Sequence, residues 1–394
     1  MTISPAFNYS RVSSIDFLRG VVMILMVLDH TRDYFHADAL IYDPLDLSQT
    51  TLPIFLTRFI THFCAPVFVF LAGTSAFFVG QRRGTKSLSI WLVKRGIWLI
   101  IAELTIIKFA WMFKLNFSML ILQVIWVLGV SMIFLAAFIH VPKKLMIVLS
   151  LLAVFGHNLM DNYQPQAWSG LWGFLHVQGP VALSDTVTAF VAYPMIPWIF
   201  VMALGYHFGS LYTNNVNPEN RKKFLYLLGL GMIVLFVLLR SINIYGNLDP
   251  WIKQDSIIFT ILSFIDVTKY PPSLDYLLIT LGPSILLLAF AEKWSGKMYD
   301  RVVTIGRVPM FLYIIHIYVI HLFAGFAAAM TGFSFSDMIL DGWVGWDESL
   351  NGYGFSLPVT YLIWAGIIIG LYPICKRYYD YKRSHRDQWW LSYL

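Results

Sequence analysis

This sequence is short of charge. Asp, Glu, Lys and Arg make up 13% of its 394 residues, about half the roughly 25% of an ordinary soluble protein. A water-soluble fold of this size would lack the polar surface to stay dispersed. Cysteine is scarcer still. Cys64 and Cys375 are the only two. They lie in separate apolar runs and read as small core residues, which excludes a disulfide scaffold. No GxxxxGK[ST] occurs, so the phosphate loop of a primary pump is missing. Low-complexity linkers, soluble-domain stretches and internal repeats are missing as well. So is the apolar–polar alternation of a membrane barrel. What is present is 58% hydrophobic residues, 17% aromatic residues and a mean hydropathy of +0.66. The expected fold class is all-α: a polytopic integral membrane helical bundle, with residues 1–394 forming a single transmembrane domain.

A helix of about 20 mostly apolar residues crosses a bilayer core, and about ten segments meet that description. They run roughly over 15–35, 53–80, 88–112, 116–140, 143–160, 185–212, 222–243, 272–293, 303–329 and 356–377. Ile257–Ile265 is shorter and reads as an interfacial or re-entrant piece. Threading these spans back and forth sends most of the 28 Lys and Arg to one side. Arg82, Arg83, Lys86, Lys143 and Lys144 are among them. Basic loops stay in the cytoplasm, so both termini are expected there. The net charge of +6 is then a topological signal, and no nucleic-acid partner is expected. Arg11 alone, with no small-residue cleavage pattern after the apolar run, does not make a cleavable signal.

The first span is too polar to be only an anchor. Its clean apolar stretch, Gly20 to Leu28, covers about half of a ~30 Å core. Asp16 and Arg19 precede it; Asp29, His30, Arg32, Asp33 and His36 follow. Such groups must face the bundle interior or water. On a helix, Asp29, Arg32, Asp33 and His36 share one face, and His30 points about 100° away from Asp29. In the next span Arg58 and His62 share a face. One reading is a catalytic or proton-handling cluster at the outer mouth. The other is an interfacial helix end carrying ordinary ion pairs. A histidine is the usual general base for acyl transfer, and a carboxylate commonly orients it. Asp29, Asp33 and Asp266 are candidates for that orienting role. Arg32 or Arg58 could stabilise an oxyanion.

These residues carry a resemblance. "RVSSIDFLRGVVMILMVLDHTRDYFH" and "FLTRFITHFCAPVFVFLAGTSAFF" are followed by "AYPMIPWIFVMALGYHFG", "TKYPPSLDYLLITLGP" and "GRVPMFLYIIHIYVIH". In this order they resemble the bacterial heparan-α-glucosaminide N-acetyltransferase-like membrane proteins over nearly the whole chain. The first segment is also similar to the opening helix of the wider transmembrane acyltransferase superfamily, where (L/I)DxxRG is followed by a histidine. The resemblance implies that acetyl-CoA or another acyl-CoA binds as co-substrate on the cytoplasmic side. The acyl group would pass to an external amino or hydroxyl acceptor, a sugar or glycoconjugate, across a bacterial inner membrane. His30 matches the superfamily histidine. His36 follows Tyr34 and Phe35, as the active-site histidine of the lysosomal enzyme follows an aromatic pair. Both remain open as the catalytic residue, and so do direct transfer and an acyl-histidine intermediate. Arg19, Lys94, Arg95 and Arg307 are candidates for the coenzyme phosphates, although basic-inside topology alone would put cations there.

Acceptor-binding candidates are Arg58, His62, Trp168, Trp172 and Lys269. Trp168, Trp172 and His176, then Trp343, Trp346, Asp347 and Glu348, fall in outer loops. Tryptophan beside carboxylates suits sugar stacking; an interfacial aromatic belt is the plain alternative. Lys269-Tyr270-Pro271-Pro272 would shape the mouth, with Lys269 paired to Asp266. His316 reads as a satisfied core histidine, and His321 lies on a different face. Glu103, in mid-span, either gates a cofactor passage or makes a structural pairing. No Cys/His spacing points to a metal, so none is expected. Membrane lipid is a partner by fold class, and a homodimer is left open. The competing class is a proton-coupled secondary transporter or exporter of a small polar or lipid-linked molecule, which the same intramembrane charges would serve. Inverted repeats and paired broken helices, common in such carriers, are not visible.

Overall fold

A computed structural model describes residues 12–394; Arg11 lies outside them. The first helix, α1, is Ser13–Phe35. It runs unbroken through both polar ends, and Asp16, Asp29, Arg32 and Asp33 are all buried in the bundle rather than turned to lipid. Next come α2 (Leu52–Thr61) and α3 (Cys64–Arg83). The helix α4 (Thr85–Ala102) passes through a π-helical turn, Glu103–Ile107, into α5 (Lys108–Met112). After β1 (Met119–Leu122) follow α6 (Val124–Phe138), α7 (Lys143–Gly156) and α8 (Ser169–Leu175). A hairpin of β2 (Gly179–Ala182) and β3 (Thr188–Val191) precedes α9 (Trp198–Phe208) and α10 (Pro218–Ile242). The chain ends with α11 (Ile257–Ile265), α12 (Leu274–Ala291), α13 (Lys297–Gly306), α14 (Pro309–Met330) and α15 (Leu357–Ser384).

Among the described residues, six helices are long and apolar enough to cross a membrane. They are Leu52–Arg83, Lys143–Met160, Pro218–Ile242, Leu274–Ala291, Pro309–Met330 and Leu357–Ser384. The α1 helix and the α4–α5 run are long but charged, while α6 and α9 have only 15 and 11 residues.

Several expected spans take another shape. The segments 116–140 and 185–212 begin as strands of a small sheet, ordered β1-β3-β2, with β1 parallel and β2 antiparallel to β3. A short apolar run looks alike as strand or buried helix. The segment 303–329 is two helices, α13 and α14, parted at Arg307–Val308, with Pro309 opening the second as a proline at N1 does. The run 53–80 breaks at His62–Phe63. Pro66 has no N–H to give the His62 carbonyl, and the Tyr276 hydroxyl takes that carbonyl instead at 2.8 Å. The short α11 forms as expected. Arg240 closes its end by donating to the carbonyls of Ser263, Phe264 and Asp266, the groups a helix leaves unpaired. Both cysteines are free and buried.

Small residues let the helices touch, as in membrane bundles generally. On α13 a Cβ at Gly306 would stand 1.8 Å from the Asp16 carbonyl oxygen, and on α1 one at Gly20 would stand 2.0 Å from that of Val302. Gly306→Val should therefore force α1 and α13 apart and destabilise the protein by about 1–3 kcal/mol or more. Gly366→Ala on α15, with nothing within 4 Å of the added carbon, should leave thermal unfolding in detergent nearly unchanged.

Candidate active site

The C-terminal half of α1 walls a polar cavity of about 560 Å³. Asp29, His30, Arg32 and Asp33 all face it. Arg58 on α2, Gln123 and Val124 at the start of α6, Lys269, Tyr270, Trp343 and Trp346 are also on its wall. The sequence places Asp29 and His30 about 100° apart on the helix; the cavity is wide enough to take both.

Asp29 is the hub. Its carboxylate accepts from Arg58 Nη1 at 2.9 and 3.2 Å and from the Thr61 hydroxyl at 2.9 Å. Arg32 Nη2 stands 3.2 Å from it and Lys269 Nζ 4.0 Å. Arg32 also donates to Asp33 at 2.8 Å. Three cations thus gather on one carboxylate. The Nε and Nη1 of Arg32 are buried without a partner among the described residues.

His30 is oriented by a histidine, not by a carboxylate. Its Nδ1 lies 2.7 Å from Nε2 of His316 on α14. The other nitrogen of His316, Nδ1, lies 2.8 Å from the carbonyl oxygen of Leu312. A carbonyl only accepts, so His316 Nδ1 carries a proton and, in a neutral ring, its Nε2 is an acceptor. His30 must then donate from Nδ1. Its Nε2 is left with a lone pair, on a residue that faces the cavity. The Trp111 ring meets His30 edge-on, with centroids 4.7 Å apart.

The other sequence candidates scatter. His36 caps the end of α1, bridged to Phe355, with Nε2 3.6 Å from Asp38; it is not on the cavity wall. His62 is buried at the α2–α3 break with both ring nitrogens unpartnered among the described residues, against Tyr276. Trp172 is buried, donating to the Tyr163 carbonyl at 2.7 Å, with Trp168 against it; neither faces the cavity. Lys269 turns to Asp29 rather than Asp266. His321 is a core histidine set between the carbonyls of Ala110 and Met338, at 2.8 and 2.6 Å, to one of which a neutral ring donates. His316 reads from sequence as one too, and only the packing of α14 on α1 brings it to His30. Glu103 makes a structural pairing: it accepts from the Trp126 amide at 3.0 Å and so caps the start of α6.

At the other end of α1, Asp16 clamps two arginines. Arg19 donates to it at 2.9 Å, to the Gly306 carbonyl at 3.1 Å and to Ser75 at 2.9 Å. Arg307 donates to Asp16 at 3.2 Å and to Tyr379 at 2.8 Å. Both arginines, with Arg95 and Lys382, ring the mouth of a second cavity of about 320 Å³. Its walls are otherwise mostly apolar, with Met23, Leu99, Leu128 and Met310 among them. It ends at Val124, which also borders the polar cavity, and at Tyr313. The Tyr313 ring centroid is 6.3 Å from that of His30. Outside the mouth opens a third cavity of about 910 Å³, sharing Trp91 and Lys382 with the second. It collects Arg83, Lys86, Lys94, Lys382 and Arg386, with no acid among the described residues of its wall. Lys94, Arg95, Arg19 and Arg307 are therefore brought to one end of the molecule. Lys382 and Arg386 join them from a terminal segment whose cations read, in sequence, as topology alone.

Asp29→Ala would leave Arg32, Arg58 and Lys269 unopposed in a partly buried site and should cost about 3 kcal/mol or more. Thr61→Val removes one hydroxyl bond and should cost only about 1 kcal/mol. Thermal unfolding of both variants in detergent checks the ranking.

Residues 11–245 match the family model described as heparan-alpha-glucosaminide N-acetyltransferase, catalytic. No curated protein matches the chain. The matched stretch carries α1 to α10 with Asp29, His30, Arg32, Asp33, Arg58, Arg19, Lys94 and Arg95, while Lys269, Arg307, His316 and Trp343 lie beyond it. More than half of the chain is covered, and it belongs to the catalytic-domain family of heparan-α-glucosaminide N-acetyltransferase, a family of membrane acetyltransferases.

Proposed function

We propose that the protein carries an acetyl or other acyl group from cytosolic acyl-CoA to an amino or hydroxyl group of a sugar or glycoconjugate on the far side of a bacterial inner membrane. The basic end then faces the cytoplasm with both termini, across about ten crossings. One observation carries this reading: a basic cavity of about 910 Å³, a mostly apolar one of about 320 Å³ and a polar one containing His30 adjoin in series, the first two sharing Trp91 and Lys382 and the last two Val124.

That sequence of surfaces fits the shape of the co-substrate. Its phosphates need cations, which Lys94, Arg83, Lys86 and Arg386 offer. Its adenine needs a flat ring, which Trp91 or Trp389 offers. Its slim arm needs a passage narrow enough to exclude water. Acyl-CoA supplies an activated thioester carbonyl, and the passage ends beside His30.

His30 Nε2 accepts the proton of the acceptor amine or hydroxyl as that group attacks the thioester carbon. His316 holds the Nδ1–H of His30, so the imidazolium that forms stays in place. Arg32 or Arg58, both on the cavity wall, faces the oxyanion of the tetrahedral intermediate. The carbon–sulfur bond then breaks, and His30 returns its proton to the departing thiolate. Trp343 and Trp346 give the acceptor sugar a stacking wall.

The test uses purified protein in proteoliposomes, acetyl-CoA and a panel of amino sugars headed by glucosamine. His30→Ala should lower acetyl transfer at least ~10²-fold while the Kd for acetyl-CoA stays within about threefold. Full activity in that variant, with loss in His36→Ala, would move the base to His36. Acid-quenched protein carrying an acetylated His30 would replace direct transfer by an acyl-enzyme. Wild-type protein that binds no acetyl-CoA, or that drives proton-coupled flux without transfer, would overturn the reading in favour of a carrier.

Lys94→Ala and Arg386→Ala should each weaken acetyl-CoA binding about tenfold, as loss of a charged hydrogen bond implies, with kcat at saturating acetyl-CoA little changed. The ratio of KM to kcat effects reads this directly.

A further inference from the structure

No histidine spacing in the sequence announces a metal, yet folding gathers one set of donors away from the cavities described above. His157 ends α7, Asp161 follows four residues on, and His176 ends α8. One ligand atom from each of the three lies within 4.8 Å of the others. His157 and His176 are each 1% exposed. Three of their four ring nitrogens, both of His157 and Nδ1 of His176, have no partner among the described residues. An imidazole always presents a donor, an acceptor or both. Leaving such groups buried and unpaired costs about 1–3 kcal/mol apiece. A cation taking a lone pair from each ring removes much of that cost.

The rest of the shell is built for it. Asn158 Nδ2 donates to Oδ2 of Asp161 at 2.8 Å, which leaves Oδ1 turned toward His176 at 2.9 Å. Secondary hydrogen bonds of this kind hold ligating carboxylates. The Trp172 ring packs against His176 with centroids 5.2 Å apart and closes one side of the site. Side-chain shifts of about 1 Å bring two nitrogens and one oxygen to bonding distance of a single ion.

We infer that His157, Asp161 and His176 bind one first-row divalent cation, with zinc as the ion their two imidazoles and one carboxylate suit best. The ion is structural. It ties the end of α7 to α8, and α8 is tied in turn to the approach of α9 through the Phe174 and Leu175 carbonyls. Asn158 also accepts from the Leu274 amide at 2.9 Å, at the head of α12, just after Lys269 and Tyr270. Gln178, two residues beyond His176, lies on the wall of the polar cavity. The cation thus braces the lip of that cavity without entering it. This holds whether or not the protein transfers acyl groups.

The experiment measures metal in full-length protein purified without a polyhistidine tag and without chelator. Inductively coupled plasma mass spectrometry should find about one zinc per chain, falling to background in His157→Ala/His176→Ala. If the double variant does not fold, the wild type answers alone. Protein stripped with a chelator should unfold at lower temperature, and added zinc chloride should restore it. Added cobalt(II) should develop the visible bands of a four-coordinate site, absent in Asp161→Asn. Less than a tenth of an equivalent of any first-row metal, with no shift of unfolding on adding zinc to stripped protein, would overturn the inference and leave an Asp–His pair beside a buried imidazole.

Discussion

The carboxylate of Asp29 holds the polar half of this structure together. Charges inside a membrane bundle are tolerated only when paired or watered, and three cations reach this one acid from three places in the chain. Arg32 comes from the next turn of α1, Arg58 from α2, and Lys269 from the cis-proline loop before α12. Each would be expensive alone. Together they fix where α2 and the loop sit against α1, and so they set the walls of the polar cavity. His30 is the neighbour of Asp29 in sequence, and its position on that wall follows from the hub. Thr61 adds a neutral bond from the α2–α3 break, where Pro66 forces the helix to let go.

The other end of α1 repeats the device. There one acid, Asp16, holds two arginines that border a passage. Their positive charge is partly satisfied by Asp16, Ser75 and the Gly306 carbonyl, so these arginines shape the mouth as much as they attract an anion. The larger cavity outside has cations and no acid among the described residues of its wall, and so suits an anion better. Because α1 is one continuous helix of 23 residues, the distance between the two clamps is fixed at about 20 Å between Asp16 and Asp29. A rigid rod thus separates the place that suits phosphates from the place that suits proton transfer.

How much of this was legible follows from where the signals lay. The polar ends of α1 stand out against nine apolar residues between them, and that contrast survives any error in span boundaries. Arg58 stands out as an intramembrane cation that must find a partner, but only the fold shows that the partner is Asp29. The sheet was hidden because Met119–Leu122 and Thr188–Val191 are apolar runs adjoining apolar helices. Lys382 and Arg386 were hidden because basic residues after a last span need no function to explain them. His316 was hidden for another reason: an intramembrane histidine carries no mark of which helix it faces. The site at His157 and His176 was invisible in the same way, since two helix ends meet only in three dimensions.

The His30–His316 pair has a consequence for how the site is assembled. The two residues are 286 positions apart, and the family match covers the first but not the second. Without His316, either tautomer of His30 could form, and the lone pair would face the cavity only part of the time. With it, Nδ1 must donate, because the Leu312 carbonyl has already claimed the proton side of His316. The ring geometry of His30 is therefore set by α1 and α14 jointly. Its orientation depends on the contact in which Gly20 and Gly306 let α13 settle on α1, since α14 follows α13 after only Arg307 and Val308. A helix-packing constraint near the basic end is in this way connected to a proton's position in the polar cavity, through a passage whose walls the same helices supply.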